Sequence, residues 1–205
     1  MTLASREGFS VSNSNSARPL FSARLEEAAR FAAVAHREQT RKLTDTPYFQ
    51  HPAAVAWILD RAGFGEDVVI AGLLHDVVED AEISAEEIKA RFGPAVAALV
   101  VWCSEVKTDA EGRKRPWIDR KRDHLAALEN APVEARAVVL ADKLHNLASI
   151  AFDLDRDLDV WNAFNADRER VFWYYETTLE RCGRGDPRLE RLAAECRERL
   201  DELKI

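Results

Sequence analysis

At 205 residues the chain suits one domain with a sizeable core. Hydrophobic residues make up 47% and charged residues 32%, the balance of a soluble globular protein, and a formal net charge of −7 argues against broad binding to a nucleic-acid polymer. No apolar run reaches membrane-spanning length, and residues 1–19 lack the basic-then-apolar pattern of a secretion signal, so no membrane partner is expected. Cys103, Cys182 and Cys196 are odd in number, far apart and outside metal-ligand spacing, which reads as reduced thiols in a cytoplasmic protein.

Residues 1–20, with the Ser/Asn-rich run from Ser10 to Ser16, read as a flexible leader, and 21–205 as a single domain. Ser22 caps a predicted helix to about Gln39, whose alanines permit close packing. A second predicted helix starts around His51-Pro52, with the proline in its first turn, and ends near Gly63. The third runs from the apolar stretch Val68–Leu74 into His75-Asp76-Val77-Val78-Glu79-Asp80 without a break. Ser84 and Glu87 form a capping box for a short helix that stops at Gly93, and 95–106 supply a strongly apolar fifth. Residues 109–115 are polar and glycine-containing, which predicts a mobile loop. Pro116 opens a helix to about Asn130, Pro132 a long one to about Asp155, and 161–181 form another. After the break at 183–187 a charged amphipathic helix closes the chain, so C-terminal helices occupy the chain from about 158. With no strand pattern and no internal repeat, the fold class is all-α.

Three places put chemistry into these helices. One-turn spacing sets His75, Asp76, Glu79 and Asp80 on one side of an otherwise apolar helix, facing a cleft. Carboxylates and an imidazole held there are costly unless paired or bound to a metal. His51 precedes Pro52 at a helix entrance. Asp142 lies within the apolar run Val138–Leu147, followed at one-turn spacing by His145 and Asn146; Lys143 is its neighbour, and adjacent residues do not face each other on a helix.

Arg41-Lys42 with Pro47-Tyr48 and His51-Pro52, then His75-Asp76-Val77-Val78-Glu79-Asp80, then Ala141-Asp142-Lys143-Leu144-His145-Asn146 resemble the HD-domain metal-dependent phosphohydrolase superfamily. The finer likeness is to the hydrolase domain of Rel/Spo proteins and, with no synthetase domain attached, to stand-alone small alarmone hydrolases. It spans about Ala28 to Tyr175. The resemblance implies an HD-domain helical bundle and one divalent metal ion, usually Mn²⁺, held by His51, His75, Asp76 and Asp142. Imidazole plus carboxylate donors suit such an ion. His36 and His145 fall to supporting positions. Glu79 and Asp80 correspond to the family's catalytic acidic pair, placed to orient or deprotonate the attacking water and to help protonate the leaving group.

The same resemblance sets Arg41 and Lys42 against the nucleotide, Asn146 near the nucleoside, and Arg170 with Tyr174 as a pair closing over it. Arg120 and Lys121, in the basic stretch 113–122, are the candidates for the terminal phosphates. Three departures touch specificity: Leu43-Thr44-Asp45-Thr46 replaces a loop that often carries glycine, Trp117 stands where a metazoan relative places lysine, and the arginine common after Asn146 is missing. The implied activity is removal of the 3′-pyrophosphate from an alarmone such as (p)ppGpp, the nucleotide of the stringent response, giving GDP or GTP plus pyrophosphate. The alternatives are a phosphatase for another nucleotide (an adenosine alarmone, NADPH or a nucleoside monophosphate) and a binding or antitoxin-like module. A homo-oligomer is compatible with either.

Overall fold

The computed structural model describes residues 19–81 and 83–204, so the expected leader lies outside the described residues except for its last two. Helix α1 (Ala23–Ala35) begins where the Ser22 hydroxyl accepts from the Leu25 N–H. It ends at His36, short of Gln39, because the backbone beyond is committed elsewhere. Arg41 N–H donates to Thr46 O at 2.8 Å and Tyr48 N–H to Gln39 O at 2.9 Å, closing a tight loop with Leu43 in the left-handed region. That loop delivers the chain to α2 (Gln50–Arg61), which carries His51 and Pro52 in its first turn.

Helix α3 (Glu66–Leu74) is buried along nearly its whole length. It packs on α2 at Gly72, where an added Cβ would lie 2.6 Å from Leu59 Cδ1 and 3.4 Å from the Ala56 backbone. The expected continuous third helix is broken: it stops at Leu74, turns through His75-Asp76 and resumes as α4 (Val77–Asp80). Helix α5 (Ala85–Phe92) starts at Ser84, whose hydroxyl accepts from the Glu87 N–H, and ends at Gly93 with φ of 93°. Helix α6 (Pro94–Cys103) stops before Val106 because Ser104 turns extended and the Glu105 N–H donates to Glu79 instead of continuing the helix.

Residues 109–115 close as a turn, with Asp109 accepting from the N–H groups of Glu111 and Arg113. Helices α7 (Trp117–Leu128) and α8 (Val133–Leu154) follow their proline signals. The helix expected over 161–181 is split into a 3-10 turn (Trp161–Ala163) and α9 (Arg168–Cys182). The break falls where Phe164 turns extended and Asp167 caps the new helix by accepting from the Arg170 N–H. Helix α10 (Pro187–Glu202) closes the fold. Among the described residues there is no strand, only isolated bridges at Thr40–Pro47 and Thr108–Lys114, so the fold is all-α.

Helix α8 is the axis of the bundle. Ala135, Ala137, Val138, Leu140 and Ala141 are fully or almost fully buried, and the helix packs against α2, α3, α6, α9 and α10. Small residues let neighbours approach the α8 backbone closely, which brings residues from three other helices within reach of Asp142.

The tightest joint lies between α9 and α10, where a Cβ at Gly183 would sit 2.3 Å from the Ala193 Cβ and 2.7 Å from the Leu179 carbonyl oxygen. Neither neighbour can swing away. Gly183→Ala is expected to destabilise the fold by about 1–3 kcal/mol through overpacking. An unchanged thermal melting temperature would show that the joint yields.

Candidate active site

His51 enters from the first turn of α2, His75 ends α3, Asp76 precedes α4, and Asp142 sits in the middle of α8. Their polar atoms converge. His51 Nε2 lies 3.2 Å from Asp142 Oδ1 and 3.5 Å from Asp76 Oδ2. His75 Nε2 lies 3.2 Å from Asp76 Oδ2 and 3.9 Å from Asp142 Oδ1. One donor atom each from His51, His75 and Asp142 falls within 4.8 Å of the others. The break after Leu74 makes this possible: it frees the His75 ring to hydrogen-bond the Gly72 carbonyl through Nδ1 at 2.8 Å, which aims Nε2 inward.

The donor set fits a divalent cation. His75 Nε2 is buried and makes no well-formed hydrogen bond, its approach to Asp76 Oδ2 being an ion-pair contact, as a nitrogen turned toward a metal would be. Burial works against protonating this ring, yet Asp76 and Asp142 outweigh it and raise its pKa to about 9. Two carboxylates that outweigh burial at this ring leave the pocket short of positive charge. His51 is the opposite case: burial dominates and keeps it neutral. Its Nδ1 faces His145 Nδ1 at 2.7 Å, and His145 is itself held neutral, pushed down to about 4 by burial with His51 and Arg41 adding. Were His51 to hold a cation through Nε2, the proton between the two rings would lie on His51 Nδ1 with His145 accepting it, which would fix the ring.

Asp142 departs from the helix-face expectation. Burial opposes its charge, but Lys143 and both histidines hold it well below the usual carboxylate range. Lys143, although adjacent, folds its long side chain back to pair with Asp142 Oδ2, while Asn146 donates to Oδ1 at 2.5 Å. The Tyr48 hydroxyl donates to Asp76 Oδ2 at 2.7 Å. His36 packs against the Tyr48 ring and bonds Gln39 through Nδ1, away from the cluster.

Glu79 and Asp80 stand one turn further along. Lys107 spans them, 2.7 Å from Asp80 Oδ1, 3.2 Å from Glu79 Oε2 and 2.9 Å from the Glu79 carbonyl oxygen. Burial raises the Glu79 pKa, opposed by the Glu105 N–H, which donates to Oε1 at 2.6 Å, and by Lys107. Glu105 is 7% exposed and braces the opposite wall: burial disfavours its charge, but Lys121, His124 and Arg120 keep it ionised.

Two adjoining cavities result. The smaller, about 160 Å³, is lined by His51, His75, Asp76, Glu79 and Asp142. The larger, about 600 Å³, holds Arg41, Lys42 and Asp80, and Tyr48, Lys121, Lys143, Asn146 and Tyr174 line both. Arg41 donates to Asn146 Oδ1 at 3.2 Å and lies over the Tyr48 ring; Lys42 donates to the Ala163 carbonyl at 2.9 Å. Two of the sequence candidates stand apart. Arg120 turns its guanidinium to Glu105 and lines neither cavity, and Arg170, 63% exposed, pairs with Asp167 on the outer face of α9. Of the basic stretch 113–122, Lys121 reaches the cavities, its Nζ 4.4 Å from the Tyr174 ring centre. Sequence reasoning missed Lys107, Glu105 and the Asp76-binding role of Tyr48. Tyr48 was within the quoted Pro47-Tyr48 pair, whereas Lys107 falls between the helix expected to end at Val106 and the loop expected from Asp109.

Residues 28–171 match the family model described as HD domain, and the chain belongs to that family. Within it, the chain is 38% identical over 157 residues to guanosine-3′,5′-bis(diphosphate) 3′-pyrophosphohydrolase MESH1 of Mus musculus, covering 75% of this chain and 80% of that protein. The Drosophila melanogaster MESH1 is 37% identical over the same shares. Among solved structures, one described as a metazoan ortholog of SpoT that hydrolyzes ppGpp aligns with a TM-score of 0.70 at 31% identity, covering 89% of this chain and 98% of that one. A Listeria monocytogenes EGD-e protein aligns with a TM-score of 0.63 at 36% identity, covering 77% and 99%.

A cation shared by α2, α3 and α8 binds the folded state alone, so loading with a divalent transition-metal ion is expected to raise the melting temperature and chelation to lower it. Asp142→Asn should remove most of that increase. Equal melting with and without metal, and no ion recovered with the loaded protein, would sink the assignment.

Proposed function

We propose that this chain is a metal-dependent hydrolase that removes the 3′-pyrophosphate from a nucleotide alarmone such as (p)ppGpp, releasing GDP or GTP and intact pyrophosphate. The observation that carries this reading is the pairing of the two cavities. A small acid-and-imidazole chamber opens through Tyr48, Lys121, Lys143, Asn146 and Tyr174 into one of nucleotide size. The relatives named as ppGpp 3′-pyrophosphohydrolases support the substrate class.

His51, His75, Asp76 and Asp142 would hold the ion, and their imidazole-carboxylate set favours Mn²⁺ over Mg²⁺. The bound ion supplies Lewis acidity, neutralising phosphoryl charge and making water more acidic. The chain's own residues do the rest. Glu79, held in place by the Glu105 N–H and Lys107, faces the small chamber and is placed to orient the attacking water and take its proton. Water adds to the phosphorus next to the ribose, the bond from that phosphorus to the 3′-oxygen breaks, and the oxygen leaves with a proton as the 3′-hydroxyl. Asp80 faces the larger chamber, on the side of the leaving nucleoside. Lys121 and Lys143 meet the phosphates where the chambers join, and Arg41 stacks on the base while Asn146 reaches the nucleoside. Tyr174, shared by both chambers, walls the substrate in.

Two outcomes test this reading. Metal-loaded protein given ppGpp should release pyrophosphate as one unit, with Mn²⁺ restoring turnover after chelation better than Mg²⁺. Glu79→Gln and Asp80→Asn should each lower kcat by roughly 10²–10⁴-fold while metal content holds. Release of orthophosphate alone, or normal turnover in both variants, would count against it.

Lys107 gives a separate outcome in pH. An ammonium beside Glu79 stabilises its carboxylate, so removing it raises the carboxyl pKa, and the ionised fraction then falls at a higher pH. The acid limb of the kcat profile of Lys107→Met should move to higher pH, and Lys107→Arg should restore it. A profile unchanged in both variants would detach Lys107 from the acidic pair.

A further inference from the structure

Helix α8 continues past the metal cluster into the larger cavity. Asp142, Asn146, Ser149, Ile150 and Asp153 recur at offsets of 4, 7, 8 and 11 residues, a single stripe along the helix, and the last four line that cavity. Asp153 lies about 16 Å beyond Asp142 along the axis, and because both side chains lean back toward the N-terminus the gap between them is kept. A nucleotide is shorter than that from its 3′-phosphate to the outer edge of its base, and a cation beside Asp142 together with a hydrogen bond at Asp153 would take up the difference.

Asp153 is half-buried, and among the described residues no hydrogen bond or ion pair reaches its carboxylate. Its backbone, by contrast, is fixed: the carbonyl accepts from the N–H groups of Arg156 and Leu158, which hold the end of α8. Around it the cavity wall is apolar, with Ile150, Val160 and Ala163. Nearer Asp142, Arg41 lies over the Tyr48 ring and is tied to Asn146, a platform for a base. Lys42 bridges to the Ala163 carbonyl and closes the side between the α1–α2 loop and the 3-10 turn. A base stacked on Arg41 would share this cavity with the end of α8.

We propose that Asp153 reads the base and makes the site selective for guanine over adenine. The inference rests on the alarmone reading above. An ionised carboxylate only accepts hydrogen bonds. Guanine offers it two adjacent donors, N1–H and the 2-amino group, which match its two oxygens. Hypoxanthine offers N1–H alone. Adenine presents the N1 lone pair beside a single amino donor, so one carboxylate oxygen faces another acceptor and repels it. The expected order is guanine, then hypoxanthine, then adenine.

The experiment measures kcat/KM for the 3′-pyrophosphorylated guanosine, inosine and adenosine nucleotides with the metal-loaded wild type, Asp153→Asn and Asp153→Leu, and the calorimetric affinities of GDP and ADP for the same proteins. Thermal melting establishes that each variant is folded. Wild type should favour guanosine over adenosine by roughly 10- to 100-fold, the worth of a charge-assisted contact. Asp153→Asn can donate as well as accept, so it should lose on guanosine and gain on adenosine, with Asp153→Leu abolishing the preference. The GDP-to-ADP affinity ratio should follow. Ratios unchanged in both folded variants overturn the role of Asp153 and leave the alarmone reading standing. Wild type that hydrolyses none of the three nucleotides overturns both.

Discussion

Charge held inside the bundle is the constraint on which the rest of the structure depends. Asp142 and Lys143 sit on the central helix, each with a side chain only about one-seventh exposed or less, and His51, His75 and Asp76 meet them from neighbouring helices. Ionised groups in such a setting are stabilising only when every one has a partner. The surrounding fold supplies partners from all directions. Tyr48 reaches Asp76 from the loop before α2, Asn146 reaches Asp142 from the next turn of α8, and His145 orients His51. The bundle is built tightly around this cluster because small residues on α8 and Gly72 on α3 let backbones approach.

The same constraint organises the wall opposite. Glu105 leaves the end of α6 to accept from Arg120 and Lys121, and its own N–H orients Glu79. Lys107, two residues on, spans Glu79 and Asp80. A short segment after α6 therefore positions the acidic pair with one backbone group and one ammonium, and fixes α7 beside the chamber through a buried ion triad. Such a triad is weak as a source of net stability but strong as a determinant of geometry, since losing one member leaves a buried charge unpaired.

Division of labour along α8 follows from its length. Its middle carries a metal-ligand candidate, and the turns beyond carry groups facing the larger cavity, so one rigid rod sets the distance between reacting phosphate and recognised base. Residues on rigid elements hold such distances better than residues on loops. The loop between α1 and α2 supplies the more adaptable contacts through Arg41 and Lys42, and each is already tied across the cavity, to Asn146 and to the Ala163 carbonyl.

The all-α class, the helix starts at Ser22, Ser84 and the prolines, and the convergence of His51, His75, Asp76 and Asp142 were legible in the sequence because caps, apolar periodicity and ordered motifs are local signals. The family was legible for the same reason. What the sequence could not carry were the points where long-range partners override local propensity. The helix through His75 is interrupted, which lets its ring bond Gly72 and turn inward; the helix at Val106 stops early because Glu105 is drawn to Glu79; and the segment 161–181 splits at the Asp167 cap. Side-chain destination is equally non-local. Arg120, Lys121 and Arg170 look alike as cationic candidates along the chain, yet one is spent on Glu105, one reaches both cavities and one points outward to Asp167. Lys143 beside Asp142 and Lys107 beside the acidic pair needed three dimensions to appear, because a long flexible side chain finds its partner by distance through space and not by spacing along the chain.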